Sequence, residues 1–162
     1  MLNKIAVSSL VLFVLSLSFG DDDHLSNDNI SKQEIIEIGG YNVRKADDGN
    51  YLIDIYASNS KFMAGFQFEL LGQDFEILDA FGGRAAHSGF SFYNGKGGII
   101  LAFSLKGNSV APVEEVYKKV NPLFTIKVKK NNNKASFLNL KTLVSSQKGV
   151  KLDSKFVPVE VK

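Results

Sequence analysis

The sequence predicts an all-β domain that folds as an antiparallel two-sheet sandwich of about eight to ten short strands. Apolar and polar residues alternate with a period of two through most of the chain from Ile35 onward. Clusters of glycine and asparagine, such as Gly82-Gly83 and residues 94–98, interrupt these runs at short intervals, which is typical of tight turns. Only one segment, residues 112–120, has the spacing of a helix.

The clearest strand spans residues 65–70, where Phe66 and Phe68 are predicted to face the core and Gln67 and Glu69 to face outward. Residues 51–57 and 75–81 form similar runs before and after it. A further strand is predicted at residues 87–93, after a glycine turn.

Residues 99–105 are apolar at nearly every position, which indicates a central strand covered on one face and half covered on the other. Phe124 lies inward in the run 123–130, and valines alternate along the last run, residues 156–162. From this pattern Phe66, Phe68, Phe103 and Phe124 are expected to share one core.

The segment 112–120 predicts one short helix at the edge of the sandwich. Val113, Val116, Tyr117 and Val120 are spaced three or four residues apart, and Pro112 suits the first turn of a helix. Asn121-Pro122 is expected to end it.

The first residues predict export. Residues 1–20 have the layout of a cleavable signal peptide: a short basic start, an uncharged apolar stretch and small residues before the acidic run at Asp21. Residues 21–33 are expected to form a flexible acidic lead-in, and residues 34–162 the β-sandwich domain. After cleavage no membrane span is expected, so the protein would be extracellular, at the cell surface or periplasmic.

Nothing in the sequence favours catalysis, a cofactor or a metal site. The chain has no cysteine and two histidines, of which His24 lies in the lead-in and His87 in a turn region. The aspartates at 21–23 do not match the calcium-loop spacing. Glu69 and Asp79, on strands expected to be neighbours, could form a carboxylate pair, although outward carboxylates are usually only solvated. A formal net charge of +2 without a long basic run argues against nucleic acid as the partner.

Several segments, in their order, resemble a cohesin module of the carbohydrate-binding and cohesin β-sandwich group. They are AGFQFEL at 64–70, FEILDA at 75–80, GIILAFS at 98–104 and LFTIKVK at 123–129, within a similarity that covers about 110 residues from Tyr51 to Lys162. The resemblance implies a jelly-roll sandwich of about nine strands in an extracellular binding protein. Cohesins bind dockerin modules through one sheet face. The sequence diverges from cellulosomal cohesins, because Met63 and Gly65 stand where that pattern tends to have Asn and Asp.

The expected function is therefore a secreted, non-catalytic binding module that recognises an extracellular protein through a sheet face. The candidate binding residues are the polar or aromatic ones predicted to face outward: Gln67, Glu69, His87, Ser91, Tyr93 and Ser104. One alternative is a carbohydrate-binding module with a polysaccharide ligand, although tryptophan is absent. Another is a self-assembling extracellular subunit, in which the run beginning at Ile35 would extend a neighbour's sheet.

Overall fold

The computed structural model describes residues 35–162. The predicted signal peptide and the whole of the predicted acidic lead-in lie outside the described residues. Within residues 35–162 the chain forms eleven strands and almost no helix, which confirms the all-β prediction. The strands are β1 (Ile36–Lys45), β2 (Tyr51–Ser58), β3 (Gly65–Leu71), β4 (Phe75–Phe81), β5 (Ser91–Gly95), β6 (Ile99–Phe103), β7 (Phe124–Lys130), β8 (Ser136–Ser145), β9 (Lys151–Leu152), β10 (Ser154–Val157) and β11 (Val159–Val161).

The strands form two sheets, with the order β10-β1-β2-β7-β4 in the five-stranded sheet and β11-β8-β3-β6-β5 in the six-stranded sheet, where β9 also pairs with β8. Neighbouring strands are antiparallel except β1 and β10, which are parallel. Eleven strands replace the expected nine or so because the end of the chain is divided. Pro158, which has no N–H to donate to a ladder, separates β10 from β11, and the two strands join different sheets.

The core lies between the sheets. Phe66, Phe68 and Phe124 are fully buried, and each pair of their rings has a centroid separation of 5.3 to 5.5 Å. The prediction that Phe103 joins them is wrong. Side chains alternate along β6, so that Ile100 and Ala102 enter the core and Phe103 faces out of the sandwich.

The predicted helix at 112–120 is also wrong. The segment contains only a three-residue 3-10 turn, Glu115–Tyr117, and Val116 and Val120 are each 72% exposed. Lys118 attaches this segment to the five-stranded sheet. Its ammonium pairs with the Glu37 carboxylate at 2.9 Å and lies 4.7 Å from the centre of the Tyr56 ring. The segment therefore contacts the sheet through a lysine and not through the apolar face of a helix.

A five-residue helix, α1 (Gly83–His87), occupies the place where the sequence predicted a turn and the beginning of a strand. The strand that follows starts four residues later than predicted, at Ser91. Gly83 has φ of +64°, and a Cβ there would lie 2.5 Å from the main-chain oxygen of Leu123. Glycine is therefore required for this close approach. The glycine pair that indicated a turn in the sequence instead stands at the beginning of α1. Along residues 35–162, no helix has the length and apolar character needed to cross a membrane.

The centre of the outer face of the five-stranded sheet is closed by the chain's own side chains. Asp54 and Tyr56 alternate with the core residues of β2 and so point outward, yet they are only 7% and 5% exposed. Lys118 covers Tyr56, and Asp54 is enclosed by hydrogen bonds from Arg44 and Thr125.

Candidate binding face

The outer face of the six-stranded sheet carries the candidate site. We use the name open face for the outward residues of β8, β3, β6 and β5, which the pairing register places side by side. They include Lys141 and Leu143 of β8, Gln67 and Glu69 of β3, Ile99, Leu101 and Phe103 of β6, and Ser91 and Tyr93 of β5.

The central row of the open face crosses four strands. Gln67 is paired with Leu143 on one side and with Leu101 on the other, and Leu101 is paired with Tyr93. Cross-strand neighbours on one face have their Cβ atoms about 5 Å apart, so the four side chains form a continuous row. This row places one amide between two half-buried leucines and ends at a 43% exposed tyrosine.

The rows on either side differ in character. Glu69 lies between Ile99 and Lys141, and the Lys141 ammonium is 3.5 Å from its carboxylate in an exposed ion pair. On the opposite side Phe103 is paired with Ser91, and its ring stacks on that of Tyr93 at a centroid separation of 5.3 Å. The open face is therefore charged at its Glu69–Lys141 row and aromatic at its Phe103–Tyr93 pair.

Contact with the rest of the chain separates this face from its counterpart. Gln67 and Glu69, which point outward in the middle of β3, are half-buried, whereas Asp54 and Tyr56, which point outward in the middle of β2, are buried. Within the described part of the chain, the segment after β6 lies over the five-stranded sheet, where Lys118 contacts Glu37 and Tyr56. The open face consequently keeps half-exposed Leu101, Phe103 and Leu143 in contact with solvent.

Four of the six predicted site residues lie together on the open face: Gln67, Glu69, Ser91 and Tyr93. The other two do not lie in its strands. His87 is the exposed last residue of α1. Ser104 lies in the turn after β6, where its hydroxyl oxygen accepts a hydrogen bond from the Lys106 N–H at 3.2 Å.

The carboxylate pair considered from the sequence does not form. Glu69 is in the six-stranded sheet and Asp79 in the five-stranded sheet, because β3 pairs with β6 and β8 while β4 pairs with β7. The Asp79 carboxylate instead accepts hydrogen bonds from the Ala80 N–H at 2.8 Å and the Asn94 amide at 3.3 Å.

The apolar half of the face was missed by the sequence reasoning. Leu101 and Phe103 belong to the run that is apolar at every position, and this run did indicate a strand only half covered on one side. Leu143 lies one residue beyond the strand that the alternating pattern indicates at residues 136–142, since β8 continues to Ser145.

The fold matches solved structures of cohesins. A cohesin in complex with a group 1 dockerin, the third of the R. flavefaciens scaffoldin ScaB, is 16% identical, with a TM-score of 0.55 and coverage of 83% of this chain and 97% of that one. A non-cellulosomal cohesin from the archaeon Archaeoglobus fulgidus is 11% identical, with a TM-score of 0.54 and coverage of 78% and 89%. The chain has a cohesin-like fold. At these low identities the likeness is one of fold, and the sequence itself diverges from those of cohesins, as the sequence analysis suggested.

Comparisons of sequence alone find no such likeness: no family model matches, and no curated protein matches. In this cohesin-like chain Met63 is completely buried in the core, and Gly65 has no side chain to present beside Phe103 and Ser145. Neither position supplies a polar group to the open face.

Proposed function

We propose that the protein is a non-catalytic module that recognises a partner protein through the open face. The observation that carries this proposal is the group of half-exposed apolar side chains, Leu101, Phe103 and Leu143, that the strand register places around Gln67 on the open face. Contiguous apolar surface with polar neighbours is typical of interaction sites. The likeness to cohesins supports the choice, since one of the matched cohesins was solved in complex with a dockerin.

The chemistry of the open face sets the expected partner surface. Leucines and an aromatic pair favour an apolar patch in the centre, and Gln67 requires a hydrogen-bonding group opposite it once water is excluded. The Glu69–Lys141 pair at the border stays solvated and adds specificity more than affinity.

The size of the face limits what it can do alone. Four strands spaced about 4.8 Å apart and about six residues long at 3.3 Å each give a surface of roughly 20 by 20 Å. A stable interface buries about 800 Å² per partner, so the partner must also contact loops that border the sheet.

Export belongs to the same proposal. Residues 1–20 are proposed to be a signal peptide, and the mature protein is proposed to act outside the cell, at its surface or in the periplasm.

The test is an affinity capture from the host's extracellular fraction, followed by reconstitution of the complex from the purified protein and the identified partner. The site variant Leu101→Asp places a charge in the central row. The matched control Leu78→Asp makes the same replacement at a leucine that is 38% exposed on β4 of the other sheet. Thermal melts of both variants are the control for folding, so that a loss of binding reports on the open face.

A purified partner that binds the wild type and the control but at least tenfold more weakly to Leu101→Asp supports the proposal. Equal binding by all three proteins removes the open face from consideration. Retardation on a polysaccharide gel in place of protein binding would favour the carbohydrate-binding alternative, and a concentration-dependent rise in molecular mass without a partner would favour self-assembly.

A further inference from the structure

A lysine-lined cavity lies at one end of the sandwich, away from the open face. It has a volume of about 220 Å³, and four lysines line it: Lys45, Lys129, Lys130 and Lys162. No acidic side chain is among the residues that line it.

The strand register explains why lysines converge here. Lys45 ends β1 and is paired with Tyr51, the first residue of β2, while Lys130 ends β7 beside it. Tyr51 and Lys130 have the same parity as the core residues of their strands, so they point toward the space between the sheets just beyond the core. The cavity thus lies at the end of the core beside Lys45, Tyr51 and Lys130, while Lys129 has the opposite parity and belongs to the outer face of the sheet.

Among the described residues Lys45 and Lys130 have no ion-pair partner, whereas Lys129 lies directly across from Glu76 of β4 in the strand register. Lys162 has only an exposed contact with Glu160 at 3.6 Å. The nearby hairpin carboxylate of Asp48 is already engaged by Lys127 at 2.5 Å.

The remaining polar groups of the wall are held in place. The Tyr51 hydroxyl donates a hydrogen bond to the main-chain oxygen of Lys162 at 2.8 Å, which ties the end of β11 to β2. The Asn132 amide donates to Asp74 at 2.8 Å and orders the loop between β7 and β8. A cavity with an ordered wall and two unpaired cations is preorganised for a negative charge.

We propose that this cavity binds an oxyanion, a phosphate or sulfate group, either free or carried by a saccharide. Ammonium groups bind the oxygens of such groups as point charges, and Lys45, Lys130 and Lys162 are the lysines that border the cavity on this side of the strands. The volume falls below the 300 to 1,000 Å³ or so of sites for drug-sized ligands, so one oxyanion group with its nearest atoms fits and a large ligand does not.

The experiment is an NMR titration of the ¹⁵N-labelled protein at constant ionic strength with inorganic phosphate, glucose 6-phosphate and neutral glucose. The amides of Gly49, Asn50 and Asn133, which line the cavity, report binding. We expect saturable shifts with both phosphates and none with glucose. Tighter binding of glucose 6-phosphate would identify a saccharide-borne group, and equal binding would identify the oxyanion alone.

Two variants with the same change in net charge separate a site from general attraction. Lys45→Gln with Lys130→Gln removes two cations of the cavity and is expected to weaken phosphate binding roughly tenfold. Lys106→Gln with Lys148→Gln removes two exposed lysines elsewhere and is expected to change it less than twofold. A titration that stays linear, or an equal loss in both variants, overturns the proposal. Dispersed spectra confirm that each variant is folded.

Discussion

Replacing Asp54 by Asn tests the network that closes the five-stranded sheet. Both oxygens of the Asp54 carboxylate are occupied. Oδ2 accepts from Arg44 Nη1 at 2.8 Å and from the Asn42 amide at 2.7 Å, and Oδ1 accepts from Arg44 Nη2 at 2.9 Å and from the Thr125 hydroxyl at 2.7 Å. Asparagine has the same shape, but its NH₂ group would face donors at one of these positions.

The expected loss follows from burial. Hydrogen bonds to charged groups contribute about 1.5–3 kcal/mol, and breaking a fully buried ion pair costs about 3–5 kcal/mol. The Asp54 side chain is 10% exposed but that of Arg44 is 40% exposed, so solvent can compensate for part of the lost interaction. We expect Asp54→Asn to lower the free energy of unfolding by about 2–3 kcal/mol at pH 7.

The same network sets a pH dependence. Burial raises the pKa of Asp54, but hydrogen bonds from Arg44, Thr125 and Asn42 outweigh it, so the pKa is lowered overall. The folded state then binds the proton less well than the unfolded state does. Its contribution is therefore present above the ordinary carboxyl pKa of about 3.9 and is lost as pH falls through the lower folded value.

Urea denaturation at pH 7 and at pH 3 measures both effects. The difference in unfolding free energy between wild type and Asp54→Asn should narrow at the lower pH. Asp47→Asn, in the exposed turn after β1, is the control and should change stability by less than about 0.5 kcal/mol. A loss below that size for Asp54→Asn, or a difference that does not narrow, would refute this account of the network.

Three further predictions concern the core, a turn and a surface pair. Phe124→Ala should lower the free energy of unfolding in urea by about 3–5 kcal/mol, and a loss under 1 kcal/mol would contradict the aromatic core. Gly98→Ala should destabilise more than Gly97→Ala; both have positive φ and share a cost of about 1–2 kcal/mol, but only at Gly98 would the new Cβ lie 2.8 Å from a Leu70 carbon. Lys127 and Asn50 hold the pKa of Asp48 at about 2, so Lys127→Met should raise it in an NMR titration, and an unchanged value would show that the ion pair is absent in solution.

The strands that the sequence predicted best are those in which alternation and burial agree. Along β3, Phe66 and Phe68 are buried and Gln67 and Glu69 are not, which is the pattern that the amino acids alone indicate. Phe103 failed because β6 is apolar on both faces, and alternation then cannot tell which residues enter the core. Which face of β6 enters the core depends on the strands that pair with it, and the sequence alone does not reveal that pairing.

The errors at residues 83–87 and 112–120 have a common physical cause. Both segments are placed by contacts with residues far away in the sequence, among them the close approach of Gly83 to the backbone of Leu123 and the ion pair of Lys118 with Glu37 across 81 positions. Local propensity and spacing cannot encode a contact with a distant partner. The same limit applies to the candidate face, where the sequence supplied outward residues but not the register that unites four of them.

One segment accounts for the asymmetry between the two outer faces. Because Lys118 lies over Tyr56 and pairs with Glu37, the connection between β6 and β7 covers the five-stranded sheet. The opposite sheet receives no such cover from the described chain, and its central strand β6 is apolar on the outer side as well. Apolar side chains on the solvent-facing side of a strand promote aggregation unless a partner covers them. Use of the open face as an interface accounts for these residues, and Leu101→Asp tests that inference at a side chain that points away from the core.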